Sequence, residues 1–176
     1  YLPLKMDFEN VSRCNLRCSM CQVSDWEKGQ RASDMSFEDF KSLIDTQYGL
    51  VEIKIQGFGE PTLGKDTLFE MIRYARRNHI WVRTTTNATT LHVNDNAKKL
   101  VESGVNDIQI SIDGTTQNTY ENIRRGAHFK RVVENCQLIN SICEDKGVLL
   151  TRMWTVLQSK NVFEFDKFVK FANQLG

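Results

Sequence analysis

The chain has 176 residues, of which 40% are hydrophobic and 26% charged, a balance typical of a soluble globular domain rather than a disordered or fibrous chain. Its 23 basic and 22 acidic side chains leave a net charge of +1, so we predict no nucleic-acid partner. A run of about 18 apolar residues and a signal peptide are both missing, so we predict no membrane span and expect a cytoplasmic protein.

Short β-like runs alternate with helical stretches, a pattern that predicts repeated β-α units around a parallel sheet. The predicted strands cover residues 5–9, 51–55, 80–84, 107–112 and 148–156. The predicted helices begin at 36, cover 66–78, end near 103–104, cover 129–145, and begin at 161. Capping boxes are predicted at Ser36 with Asp39 and at Asn161 with Glu164, and Asn94 is expected to cap the third helix.

Five β-α units with right-handed crossovers predict an α/β fold in which the sheet curls into part of a TIM-like barrel. The chain begins with Tyr1 rather than Met, and Gly176 stands where the C-cap of a helix belongs. We therefore interpret residues 1–176 as one domain of a longer protein, truncated at both ends.

Three cysteines follow the first predicted strand at the spacing Cys14-x3-Cys18-x2-Cys21, in a long loop that continues through the polar stretch 24–34. Thiolates at this density without a secretory signal favour a metal or redox centre over disulfides. An iron–sulfur cube normally takes four cysteines, so three leave one iron open to a ligand that is not protein. A structural zinc ion needs four ligands, and the remaining cysteines and histidines lie far along the chain.

Two of those distant cysteines, Cys136 and Cys143, could be ligands of a second cluster or hydrogen-atom donors. They are seven residues apart on the fourth predicted helix and share a stripe with apolar residues such as Val132 and Ile139. Free cysteine behaves as a small buried hydrophobe, so we predict that both belong to the core.

The octapeptide of residues 14–21, CNLRCSMC, resembles the CxxxCxxC signature of the radical S-adenosylmethionine (SAM) superfamily. Its sequence is similar to the motif of the branch that often carries a C-terminal SPASM or twitch extension. The resemblance implies a [4Fe–4S] cluster on Cys14, Cys18 and Cys21, whose free iron binds the amino and carboxylate groups of SAM. It also implies that an external donor such as flavodoxin or ferredoxin supplies the electron that cleaves SAM to a 5′-deoxyadenosyl radical. The family core usually has six β-α units, so the sixth strand is missing here.

After the second predicted strand, the segment 56–61 reads QGFGEP and resembles the family's GGEP motif, with Phe58 in place of the central glycine. Gly57 and Gly59 would let the backbone approach a ligand closely. The resemblance implies that this loop holds the amino group of SAM through backbone carbonyls, that Glu60 fixes the loop, and that Gln56 lies beside SAM. A plain strand-to-helix turn is the alternative interpretation.

Two further motifs follow the third and fourth strands. Ser111 and Asp113 stand in a Ser-x-Asp-Gly sequence, and the resemblance implies that they face the ribose or methionyl end of SAM. It also places an arginine against the carboxylate of SAM, for which Arg124 is our choice and Arg125 the alternative. The segment 84–88 resembles a Thr-Asn-Gly turn, with Ala88 where glycine is usual, so we expect an altered turn.

These motifs together predict the core of a radical SAM enzyme, and the resemblance implies that it acts on a peptide or protein, as in the maturation of ribosomally made peptides. A dehydrogenase or epimerase of a small carbohydrate-like molecule is the alternative enzyme. An iron–sulfur or zinc module for electron transfer or scaffolding is the alternative outside enzymes, but such a module has no need of the SAM-side motifs. No catalytic residue is assigned, and we expect the 176-residue chain to be incomplete as a catalyst.

Overall fold

The computed structural model describes residues 2–26 and 32–176, which form a five-stranded, all-parallel sheet with helices packed against it. The strands are β1 (Lys5–Phe8), β2 (Glu52–Ile55), β3 (Trp81–Thr86), β4 (Asp107–Ser111) and β5 (Thr151–Trp154). The α-helices are α1 (Phe37–Thr46), α2 (Asp66–Arg77), α3 (Asn96–Glu102), α4 (Gln117–Ile123), α5 (Phe129–Asp145) and α6 (Phe165–Leu175). The strands lie side by side in chain order, which confirms the predicted α/β architecture of five β-α units.

Strand alternation divides the sheet into an apolar face and a polar face. On one face, residues such as Ile53, Val82 and Ile108 are fully buried against the helices. On the other face, Arg83 and Arg152 both form ion pairs with Asp107. The polar face is therefore held by charge pairs, and the apolar face carries the core.

Cysteines 136 and 143 lie on α5 with their side chains in this core, as predicted. Burial raises the pKa of the Cys136 thiol to about 12. Neither residue lines the cavity described below, so both act as small apolar side chains.

The predicted cap at Ser36 is confirmed, because its hydroxyl accepts a hydrogen bond from the backbone N–H of Asp39 at 3.0 Å. The predicted cap at Asn94 is wrong. Asn94 and Asp95 both have positive φ, and α3 begins at Asn96 without a side-chain cap. Two successive left-handed residues reverse the chain here, which an N-cap in extended conformation cannot do.

The second predicted capping box is also wrong, because tertiary contacts occupy both of its side chains. The amide of Asn161 donates to the backbone oxygens of Asp113 and Val156. The carboxylate of Glu164 accepts hydrogen bonds from the loop before α4 and from α4 itself, at residues 115, 116 and 119. The sequence pattern misses α4, a helix of only seven residues.

Strand boundaries differ modestly from the prediction: β3 continues two residues further, and β5 is shorter at both ends. The predicted loop 24–34 lies partly outside the described residues. Among those described, no helix combines the length and apolar character needed to cross a bilayer.

The second residue after α2 yields a stability prediction. His79 is exposed and has φ of 62°, at a position where helices commonly end with glycine. His79→Gly should remove about 1–2 kcal/mol of steric strain, offset by about 0.5–1 kcal/mol of extra freedom in the unfolded chain. We therefore expect the free energy of unfolding to rise by about 0.5–1 kcal/mol in urea titrations followed by circular dichroism.

The matched control is Gly147→Ala after α5. Gly147 has φ of 64°, and among the described residues other than its two chain neighbours no atom lies within 4 Å of an added Cβ. The free energy of unfolding should therefore fall, by backbone strain alone. Changes of the same sign in the two variants would contradict the argument.

Candidate cluster and cofactor site

A cavity of about 610 Å³ lies where the cysteine loop meets the carboxyl ends of β2, β3 and β4. Active sites of parallel α/β barrels gather at this end of the strands. Its wall contains all of the predicted cluster and SAM residues except Asp113, namely Cys14, Cys18, Cys21, Gln56, Gly57, Phe58, Gly59, Glu60, Ser111 and Arg124. Residues that are distant in the sequence thus form one site.

The three thiols line the cavity from one short loop. Cys18 is buried, and its burial raises its thiol pKa to about 11, although the positive charge of Arg124 opposes the shift. The backbone oxygen of Cys18 accepts hydrogen bonds from the N–H of Cys21 at 3.0 Å and the hydroxyl of Ser24 at 2.7 Å. The loop is therefore folded tightly around its second cysteine.

This donor set fits a [4Fe–4S] cluster. Within the described part of the chain, no three His, Cys, Asp or Glu side chains are placed to hold a single metal ion. A cube spreads its ligands over separate irons, so its cysteines need not converge on one point. Three thiols along one cavity wall suit a cube with one iron left for another ligand.

Glu9, which follows β1, orients the glycine-containing turn. Its Oε1 accepts hydrogen bonds from the N–H groups of Phe58 at 2.6 Å and Gly59 at 2.8 Å. A Cβ on Gly59 would lie 1.7 Å from the backbone oxygen of Val11. At position 59, glycine is therefore required by the neighbouring loop. With its N–H groups bound to Glu9, the turn has its carbonyl oxygens left for other partners.

Glu60 joins the end of β2 to the end of β3. Its Oε1 accepts from the hydroxyls of Thr62 and Thr86 at 2.6 Å each, and its Oε2 accepts from the N–H of Asn87 at 2.8 Å. Burial raises the pKa of Glu60, against the effect of these hydrogen bonds. Glu60 has the loop-fixing contacts that the sequence predicts for it.

The turn after β3 brings Asn87 to the cysteine loop. Its Nδ2 donates to the side-chain oxygen of Asn15 at 3.0 Å and lies 3.9 Å from the sulfur of Cys14. Ala88 has φ of 60°, so the turn keeps the left-handed conformation and the predicted alteration is wrong. The Ala88 oxygen accepts a 2.7 Å hydrogen bond from Asn135 of α5, and this buried contact helps to hold the strained residue.

Asp113 is the predicted SAM residue that the structure does not bring to the cavity wall. β4 ends at Ser111, so strand alternation no longer controls the direction of residue 113. Asp113 is fully buried, and its Oδ2 binds both Nε and Nη2 of Arg124, at 2.8 and 2.7 Å. Its Oδ1 accepts from the N–H of Val156 at 2.8 Å, so no oxygen is directed to the cavity without a protein partner.

Arg124 lies on the wall, whereas its neighbour Arg125 is exposed outside the cavity. Burial lowers the pKa of the Arg124 guanidinium, but Asp113, Cys18 and Tyr120 together raise it, so the net pKa is raised. The arginine is therefore a fixed positive charge beside the thiols. The two candidate arginines therefore differ in position, because only Arg124 lines the cavity.

Thr85, Leu16 and Met20 also line the wall, and the sequence reasoning assigned none of them to the site. Thr85 could have been found from alternation along β3, which places it on the same face as Arg83. Leu16 and Met20 lie between the cysteines, and no sequence signal distinguishes cavity residues there from core residues.

The comparisons with known proteins agree with this geometry. The profile of the Radical SAM superfamily matches residues 11–172. Mycofactocin maturase MftC of Mycolicibacterium smegmatis is 27% identical over 175 residues, which cover 99% of this chain and 43% of that protein.

Solved structures of SuiB from Streptococcus suis have a similar fold. The structure bound to S-adenosylmethionine superposes with a TM-score of 0.75 at 18% identity, covering 99% of this chain and 39% of SuiB. The structure bound to the precursor peptide SuiA gives 0.74 at 19% identity, covering 99% and 37%. The chain thus spans less than half the length of these relatives. It belongs to the radical SAM superfamily, whose cofactors are a [4Fe–4S] cluster and SAM.

Proposed function

We propose that this chain is the core of a radical SAM enzyme that acts on a peptide or protein. The observation that carries the proposal is the shared cavity, whose wall combines three thiols with the turn at Gly57, Ser111 and Arg124. When bound there, the cluster and SAM supply reductive cleavage to a 5′-deoxyadenosyl radical, which abstracts a hydrogen atom from the substrate. An external one-electron donor is part of the proposal.

The thiols, the turn at residues 57–59 and Arg124 each have a defined task in this proposal. The three cysteines bind the cluster as thiolates. The carbonyl oxygens of the turn from Gly57 to Gly59 accept hydrogen bonds from the amino group of SAM, because Glu9 already binds the N–H groups. Arg124 attracts the carboxylate of SAM, and Asp113 acts only through Arg124 as a positioning residue.

Apolar side chains form part of the cavity wall. Leu16, Met20 and Phe58 line the cavity, and the ring of Phe58 packs on that of Trp26 with centroids 5.1 Å apart. A radical is quenched by stray hydrogen donors, so an apolar wall favours productive transfer. This apolar part of the wall is a second reason to prefer radical chemistry over a plain electron carrier.

The substrate class is inferred from relatives. MftC is named a maturase, and SuiB has been solved with a precursor peptide. Anaerobic incubation of the full-length protein with SAM, reductant and candidate peptides should form 5′-deoxyadenosine together with a peptide of altered mass. Altered mass in a small molecule, with none in any peptide, would contradict the peptide assignment.

The first prediction for this site concerns iron loading. Anaerobic reconstitution should load about four irons per chain, and Cys18→Ala should abolish this because two cysteines do not hold the cube. Cys143→Ala is the matched control, since that cysteine lies in the core and should leave iron content unchanged. Iron and sulfide assays measure both. Stoichiometric zinc with full sulfur coordination in the wild-type protein would contradict the assignment.

The second prediction concerns SAM binding. Removing Arg124 alone would leave the Asp113 charge buried and unpaired, so the informative variant is Arg124→Gln combined with Asp113→Asn. SAM affinity should fall by about 1.5–3 kcal/mol, the value for a hydrogen bond to a charged group, while iron content is retained. Arg125→Gln is the control and should bind SAM normally. A loss confined to the Arg125 variant would transfer the assignment to that residue.

A further inference from the structure

The outer surface of the cysteine loop carries an excess of positive charge. We define the basic surface as Arg17, Arg125, Lys130 and Arg131 with the exposed histidines 92 and 128. Part of it surrounds a groove of about 600 Å³. Among the described residues, Arg17, Arg125 and Lys130 form no ion pair, and Arg131 has a 3.6 Å contact with Glu134.

The carboxylates around this surface do not neutralise it. Glu134 is the only carboxylate among the described residues that line the groove, and Glu121 accepts a 2.9 Å hydrogen bond from the N–H of Phe129. The N–H of Arg17 donates to the oxygen of Arg125 at 2.9 Å, so two exposed arginines lie on adjacent backbone. Because the whole chain has a net charge of only +1, this local excess is balanced by acidic residues elsewhere.

The basic surface and the cluster cavity lie on opposite sides of the same loop. Cys14, Leu16 and Cys18 line the cavity, whereas Asn15 lines the outer groove. The guanidinium of Arg17 donates to the backbone oxygen of Cys14 at 3.0 Å. A single layer of backbone therefore separates the groove from the cluster-binding thiols.

We propose that the basic surface docks an acidic one-electron carrier protein, which delivers the electron for SAM cleavage through the cysteine loop. This inference rests on the proposed function, which requires one electron from outside for each SAM cleaved. In the transfer, the reduced carrier loses one electron and the oxidised cluster gains it, and no bond or proton changes. Complementary charge would steer the carrier to the loop and raise the rate of encounter.

A nucleic acid is the other polyanion that such a surface could attract. Among the described residues, no Phe, Tyr or Trp lines the groove, and the rings of His92 and His128 are the only ones there on which a base could stack. Electron transfer requires the carrier to lie close to the cluster loop, which this surface borders. Binding of a nucleic acid has no such requirement. The observations therefore favour the protein.

The test uses the full-length protein after iron loading, with reduced flavodoxin as the acidic carrier. Arg125→Glu with Lys130→Glu reverses two exposed charges of the surface. The matched control is Arg73→Glu with Lys167→Glu, which reverses two exposed charges on α2 and α6. The rate of cluster reduction is followed by loss of visible absorbance, and flavodoxin affinity by calorimetry, at low and high salt.

The surface variant should be reduced by flavodoxin about tenfold more slowly at low salt and should bind it more weakly, with the difference shrinking at high salt. Reduction by dithionite, a small anion, should stay within the range of the control. Equal rates with flavodoxin in both variants would overturn the docking assignment, as would tighter binding of a polyuridine RNA than of flavodoxin. Failure of the wild-type protein to load iron would instead refute the proposed function beneath it.

Discussion

The buried ion pair of Asp113 and Arg124 is the contact on which the arrangement of the site depends. Asp113 also receives the N–H of Val156, so the end of β4 is tied to the loop after β5. The segment that carries Arg124 is tied in turn to the cysteine loop, since the oxygen of Ile123 accepts from the N–H of Ser19 at 2.7 Å. One charge pair thus couples the cluster loop to two strands. Losing one partner would leave a buried charge at a cost of about 3–5 kcal/mol.

The same principle recurs at the other carboxylates of the site. Glu9 binds two backbone N–H groups of the glycine-containing turn, and Glu60 binds two threonine hydroxyls and two backbone N–H groups. These carboxylates therefore hold the loops in place through hydrogen bonds. Donors, thiols and a guanidinium form the polar part of the cavity wall beside them. This division suits a bound molecule that carries a carboxylate, and a cluster that is held by the thiolates of the protein.

Around its first two cysteines, the cysteine loop borders the cavity and the basic groove with alternate residues. Cys14, Leu16 and Cys18 line the cavity, and Asn15 lines the basic groove outside. A loop only one backbone thick can hold a redox group on the inside and receive a partner on the outside. The short path between them follows from the spacing of the motif together with the turn after β3, where Asn87 holds Asn15.

The sequence by itself determined the five β-α units and the family, because period-two runs, helical stripes and the spacing of three cysteines are local signals. It also identified most of the wall, since strand ends in a parallel sheet meet at one edge. Only the tertiary structure decided that Asp113 lies behind the wall, that Glu164 binds the loop before α4 instead of capping a helix, and that Ala88 adopts a left-handed turn. In each case a tertiary hydrogen bond or ion pair overrides the local preference, and the partners are 11 to 49 residues apart in the chain. Local patterns carry no information about them.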